Sequence, residues 1–159
     1  MPLSFLLGLP NHCSSFDWLP TTPPVLARNQ LVYIGLRDVE PEEKRLLCQL
    51  NITVFDMGDV NQLGIGNIMQ VIKKLIGERP VHVSFDIDSL DPTEAPATGT
   101  PVRGGLTYRE GVYICRALQE FNTVSMDLVE INPLLGSSEN ADRTIQAGLH
   151  MIYNVMGQC

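Results

Sequence analysis

Short apolar runs suited to buried strands alternate along this chain with longer segments of helical periodicity, and that alternation restricts the fold to repeated βαβ units. Leu31 to Leu36 is the first run, closed by the charged loop Arg37-Asp38-Val39-Glu40-Pro41. Pro41, followed by Glu42 and Glu43, suits a first helical turn: proline has no N–H to leave unpaired there, and carboxylates face the positive end of the helix dipole. Leu46, Leu47 and Leu50 form the expected inner face of that helix. Ile52 to Phe55 reads as a second strand. Ile65, Ile68, Met69, Ile72, Leu75 and Ile76 then follow helical spacing.

A third strand, Val81 to Ile87, alternates cleanly, with Val81, Val83, Phe85 and Ile87 on one side and His82, Ser84 and Asp86 on the other. Thr107-x-x-Glu110 has the form of a capping box and opens a helix expected to run to about Glu120, with Arg109 and Glu110 serving the helix start. Val124 to Ile131 is the fourth strand, and Asp142 to Met156 the closing helix. The Pro-, Ser- and Thr-rich segment from Leu9 to Asn29 reads as an irregular connection. The apolar stretch Met1 to Leu7 reads as a helix turn or strand packed in the core, because it lacks the basic region of a targeting peptide. The expected architecture is α/β: three layers, α/β/α, around a mainly parallel sheet. In such sheets functional groups gather beyond the carboxyl ends of the strands, which directs attention to the loops after Leu36, Ile87 and Glu130.

Composition narrows the class of partner. A net charge of −7 argues against broad attraction to nucleic acid or to an anionic membrane, but an acidic pocket would favour a small cation. No apolar run approaches the ~20 residues of a membrane span. The cysteines, Cys13, Cys48, Cys115 and Cys159, are widely spaced and form no CxxC pair, so a reducing compartment is expected rather than a disulfide framework.

Asp86 and Asp88 flank Ile87 at the end of the third strand. Two residues apart on a strand they would point to one side, about 6–7 Å apart along the backbone. Unpaired like charges on a mostly buried strand are costly, so a divalent cation or a proton is needed to compensate them. Oxygen ligands suit Mg²⁺ or Mn²⁺ better than structural zinc. The alternative is a solvated turn, since Asp88-Ser89-Leu90-Asp91-Pro92 is rich in turn formers.

The residues around this pair resemble the ureohydrolase family. Ser84-Phe85-Asp86-Ile87-Asp88-Ser89-Leu90-Asp91-Pro92 is similar to that family's SFDxDxxDP signature. Ala97-Thr98-Gly99-Thr100-Pro101 and Gly104-Gly105-Leu106-Thr107-Tyr108-Arg109-Glu110 resemble its downstream loop and helix start, and Asp127-Leu128-Val129-Glu130-Ile131-Asn132-Pro133 resembles its last site strand. Gly35-Leu36-Arg37-Asp38-Val39 and the Glu-Ile-Asn-Pro ending are closer to arginases than to agmatinases.

The resemblance implies a binuclear Mn²⁺ site that hydrolyses L-arginine to L-ornithine and urea, with paired cations lowering the pKa of a bridging water. It assigns Asp86 as the bridging metal ligand and Asp88 as a ligand of one metal. Glu130 would be the carboxylate paired with the guanidinium, with Thr100 beside it. Arg37, Glu40 and Glu43 would form the loop at the substrate's α-amino end, where Glu40 stands in place of the usual aspartate.

Arginases also carry Gly-Gly-Asp-His and Asp-Ala-His-x-Asp segments that supply further metal ligands, and neither occurs in this sequence, whose histidines are His12, His82 and His150. A structural role is expected for His82, and none is assigned to His12 or His150. Residues 1–159 are therefore expected to be the C-terminal portion of a single arginase-like domain. The chain alone is expected to be inactive or nearly so, and prone to aggregate or to need a partner. Family precedent suggests a homotrimer and a cytoplasmic location, with mitochondria as the other compartment in which arginases occur. The alternatives are a non-catalytic arginase-like binding or regulatory subunit and another ureohydrolase acting on agmatine.

Overall fold

The structure, a computed structural model, describes residues 2–9 and 23–157. The irregular connection expected from Leu9 to Asn29 therefore lies largely outside the described residues, as do His12, Cys13 and Cys159. Its end is a 3₁₀ turn, Arg28–Gln30. Two compact units are present: Met1–Tyr33 with Val39–Val54, and Ile34–Asp38 with Phe55–Cys159.

The first unit holds α1 (Pro2–Leu6) and α2 (Pro41–Gln49). The opening stretch is thus a helix turn, and its Leu6 carbonyl accepts from the Leu26 N–H at 3.0 Å. α2 starts as its residues dictate, with Pro41 in the first turn and Glu42 and Glu43 at the positive end of the dipole. Leu7, Leu47 and Leu50 are buried and, with Tyr33 and Ile52, line a small apolar cavity of about 30 Å³. Leu46 lines it as well, although it is 37% exposed.

The strands are β1 (Val32–Leu36), β2 (Thr53–Asp56), β3 (Val81–Asp86) and β4 (Thr123–Val129). β1 pairs with β2 and β3 with β4, giving two small sheets among the described residues. The β3–β4 pair is parallel, with Phe85 opposite Leu128 and Asp86 opposite Val129.

In the second unit β2 ends on Asp56, which caps α3 (Met57–Leu63): the Asp59 N–H donates to Asp56 Oδ1 at 2.9 Å, and Asp59 Oδ2 accepts from the Asp56 N–H at 3.0 Å. α4 (Ile65–Ile76) buries Ile68, Met69 and Ile72, while Leu75 stays 44% exposed. α5 (Tyr108–Ala117) opens with the expected capping box, the Thr107 N–H donating to Glu110 Oε2 at 2.8 Å. It is continued by a 3₁₀ turn, Leu118–Glu120. α6 (Ser138–Val155) begins four residues before the expected Asp142 because Ser137 caps it, accepting from the Asn140 N–H at 3.2 Å.

α6 lies on the apolar face of the β3–β4 pair. A Cβ on Gly148 would sit 2.9 Å from Leu128 Cδ2 and 2.7 Å from Ile131 Cδ1, so any larger residue there would have to displace both side-chain ends. The opposite face carries His82, Ser84, Ser125 and Asp127, all exposed. His82 bridges there, Nδ1 to Ser125 Oγ at 2.8 Å and Nε2 to Asp127 Oδ2 at 3.1 Å, which gives it the structural role expected of it. Among the described residues no helix is long and apolar enough to cross a membrane.

Candidate active site

β3 stops at Asp86, and Ile87 opens a 3₁₀ turn, Ile87–Ser89. Asp86 and Asp88 are therefore not two residues of one strand, as the alternation suggested. Asp86 is the last strand residue and caps the turn, accepting from the Asp88 N–H at 3.2 Å. The side chain competes with the sheet for that N–H, as aspartate commonly does. The turn is nevertheless not a solvated one: Ile87 is fully buried, and both aspartates are half-buried.

Burial is the main reason that the Asp86 carboxyl is raised from its ordinary 3.8 to about 6. The Asp88 N–H opposes this, whereas the charges of Asp88 and Glu130 and the side-chain bond with Asp88 reinforce it. Three acidic side chains thus act on one another at the carboxyl ends of β3 and β4. Glu130, immediately after β4, holds a backbone φ of +66°, a conformation that costs an L residue about 1–2 kcal/mol. Its carboxylate lies over Gly99, where an added Cβ would come within 4.0 Å of Oε2.

Thr100 Oγ1 donates to Asp88 Oδ2 at 2.8 Å, which connects the loop after β3 to the candidate metal ligand. Arg37, at the end of β1, reaches the same place, donating from Nε and Nη2 to the Val102 carbonyl at 3.1 and 3.0 Å. It also donates to the carbonyls of Asp88, Ser89 and Leu90. Arg37, Asp38, Asp88, Thr100 and Val102 line an open cleft of about 270 Å³.

The long loop is held at several points. Asp91 accepts from Thr93 N and Oγ1 at 3.0 and 2.8 Å, and from Gly104 N and Gly105 N at 2.8 and 3.3 Å. The bonds from Thr93, followed by those from Gly104 and Gly105, lower its pKa to about 2. Deeper in, the Ala97 N–H donates to Thr144 Oγ1 at 2.9 Å, and the Ala97 carbonyl accepts from the Asn132 N–H at 3.0 Å. Thr144, fully buried on α6, thereby fixes the loop that passes beneath Glu130.

The structure brings together Arg37, Asp86, Asp88, Thr100 and Glu130 within the second unit. Glu40 and Glu43 belong to the first. There Glu40 stands at the N-terminus of α2 without a side-chain cap bond, and Glu43 faces Tyr33, adding to the burial that raises the Tyr33 pKa. Sequence reasoning assigned no role to Asp38, Val102 or Thr144. Asp38 carries a signal of its own, a φ of +52° at the cleft wall, but a backbone angle is not written in the sequence.

The donor set fits a divalent metal only in part. Asp86 and Asp88 offer hard oxygen ligands, and a cation would offset the burial and the neighbouring negative charge that raise Asp86. Yet among the described residues no cluster of three or more His, Cys, Asp or Glu side chains forms a complete metal site, and His82 is bonded to Ser125 and Asp127 instead.

The arginase family model matches residues 7–157. An arginase of Neurospora crassa is 46% identical over 164 residues, covering 99% of this chain and 46% of the relative. The crystal structure of arginase from Bacillus cereus superposes with a TM-score of 0.88 at 30% identity, over 100% of this chain and 54% of that one. The Entamoeba histolytica arginase in complex with L-ornithine gives a TM-score of 0.84 at 28% identity, over 99% and 51%. This chain spans about half the length of the relatives that it matches. On the fold, the order of its motifs and these matches, the chain belongs to the arginase family.

Proposed function

We propose that these 159 residues form the carboxylate-bearing, C-terminal portion of a single-domain hydrolase site that converts L-arginine to L-ornithine and urea. The observation that carries this reading is the convergence of Asp86, Asp88 and Glu130, three carboxylates whose charges and burial set the Asp86 pKa. In the family reaction a binuclear metal centre supplies activated water, and Mn²⁺ is our choice for an oxygen-rich site. Asp86 and Asp88 would hold it, with the remaining ligands contributed from beyond the described residues. Glu130 is suited to the guanidinium, whose planar donors match a carboxylate. Thr100 orients the Asp88 carboxylate through its hydroxyl. Glu40 and Glu43 are our candidates for the substrate's α-amino end. Related arginases support this choice of substrate, one of them solved with L-ornithine.

Mn²⁺ titration monitored by electron paramagnetic resonance, combined with a urea-release assay on the full chain, tests this reading. Weak Mn²⁺ binding, weakened further by Asp86→Asn or Asp88→Asn, without urea release is the expected result. Robust turnover would overturn the half-site, and Mn²⁺ binding indifferent to both substitutions would overturn the metal assignment. A donor set that fits a divalent metal only in part favours a second reading, a non-catalytic arginase-like subunit. That alternative requires L-arginine to bind in EDTA.

A further inference from the structure

Arg37 is a cation beside an acidic cluster, yet it makes no ion pair among the described residues. Each of its three guanidinium nitrogens donates to main-chain carbonyls instead. Nε and Nη2 hold Val102 at 3.1 and 3.0 Å, Nη1 holds Ser89 at 3.4 Å, and Nη2 also reaches Leu90 at 3.4 Å and Asp88. Asp88, Ser89 and Leu90 are consecutive residues at the end of the 3₁₀ turn, where carbonyls have no partner within the turn itself, although that of Ser89 also accepts from the Leu106 N–H at 2.9 Å. A basic side chain at a helical C-terminus satisfies such groups. Here the planar fork does so on one edge and grips the far side of the loop, at Val102, on the other. A lysine ammonium is a single point and cannot span both.

The consequence falls on Asp88. Its carbonyl is bonded to Arg37, its N–H to Asp86, and its carboxylate to Thr100, two residues before Val102. We infer that Arg37 is a positioning residue: it clamps the Ile87–Ser89 turn to the Val102 segment and so sets the direction of the Asp88 carboxylate into the cleft. The inference rests on the reading of Asp88 as a metal ligand, but the clamp itself is tested without metal.

Hydrogen exchange of the full chain in EDTA, followed in peptides covering 87–91 and 100–105, reads the clamp directly. Arg37→Met is expected to speed exchange in both peptides and leave α6 protected, and Arg37→Lys, which keeps the charge but loses the fork, is expected to fall between. Unchanged exchange in both peptides for both variants would overturn the proposal. Should Arg37→Met unfold α6 as well, Arg37→Lys decides alone by the same criterion.

Mn²⁺ affinity supplies the readout that a merely structural residue would not move. Arg37→Met should weaken it about ten-fold, the loss typical of an outer-shell partner. The double variant with Asp88→Asn should bind no more weakly than Asp88→Asn alone, because the two act through one ligand. Full additivity would refute action through Asp88. If the unsubstituted chain binds no Mn²⁺, the metal reading and the assignment of Asp88's direction fall together, and the exchange result still decides whether the clamp exists.

Discussion

Acidifying the metal-free chain from about pH 7.5 to about pH 5 should stabilise it, against the usual behaviour of a protein rich in carboxylates. Asp86 is the reason. Its pKa stands at about 6 in the folded chain against an ordinary 3.8. The folded state therefore binds a proton that the unfolded state still releases between those values. Stability from this group is fully present below about pH 4 and is lost as pH rises through about 6. At about 1.4 kcal/mol per pH unit the full shift corresponds to ~3 kcal/mol. Asp86 is only half-buried, and solvent screening reduces this to ~1 kcal/mol.

Urea denaturation in EDTA, fitted at several pH values across that window, measures the effect. Comparison with Asp86→Asn isolates it, because the amide oxygen can still accept from the Asp88 N–H and any histidine titration is common to both chains. The difference in unfolding free energy between the two chains should grow by ~1 kcal/mol toward neutral pH, with the variant the more stable. A pH-independent difference, or a native chain that gains stability relative to the variant as pH rises, would refute the reasoning.

Other substitutions examine the supports of the site. Thr144→Val keeps the shape of the side chain but strands the buried Ala97 N–H, and should cost about 1–3 kcal/mol in urea denaturation, most of it recovered by Thr144→Ser. Gly105→Ala would place a Cβ 2.7 Å from the Asp91 nitrogen and the Leu90 carbonyl carbon, backbone that cannot swing aside, and a loss of about 1–3 kcal/mol is expected from the same measurement. Glu130→Gly relieves the positive φ and removes one charge facing Asp86; thermal denaturation at neutral pH should show a chain more stable by about 1 kcal/mol.

Much of this was legible because local rules decide it. The alternation of Val81 to Phe85 gave β3, and the Thr107–Glu110 pair gave the start of α5. α3 was missed because only Val60 of its seven residues is buried, too little to show a period, although Asp56 and Asp59 cap it reciprocally. The end of β3 was placed one residue too far because the apolar alternation continues through Ile87, while the Asp86 side chain had already taken the next turn's N–H. The environment of Arg37 was illegible for a different reason. Its acceptors are main-chain carbonyls 51 to 65 residues away, and a carbonyl is the same in every residue type. The hold of Thr144 on Ala97, 47 residues distant, was hidden in the same way.

Among the described residues, three other than glycine hold a positive φ: Asp38, Asn51 and Glu130. Asn51 follows α2, where its N–H bonds the Cys48 carbonyl, an ordinary use of asparagine at a helix end. Neither Asp38 nor Glu130 has such an account. Each stands just beyond a strand, β1 or β4, and glycine would adopt either conformation at less cost. Together with Asp86, whose ionisation the fold disfavours, they concentrate backbone strain and uncompensated negative charge at one end of the second unit. Folding alone gives no reason to retain that combination, since each element of it lowers stability. A divalent cation at Asp86 and Asp88 and a guanidinium at Glu130 would turn the same charges into attractive contacts. Local strain of this kind is sustained where a ligand needs the geometry.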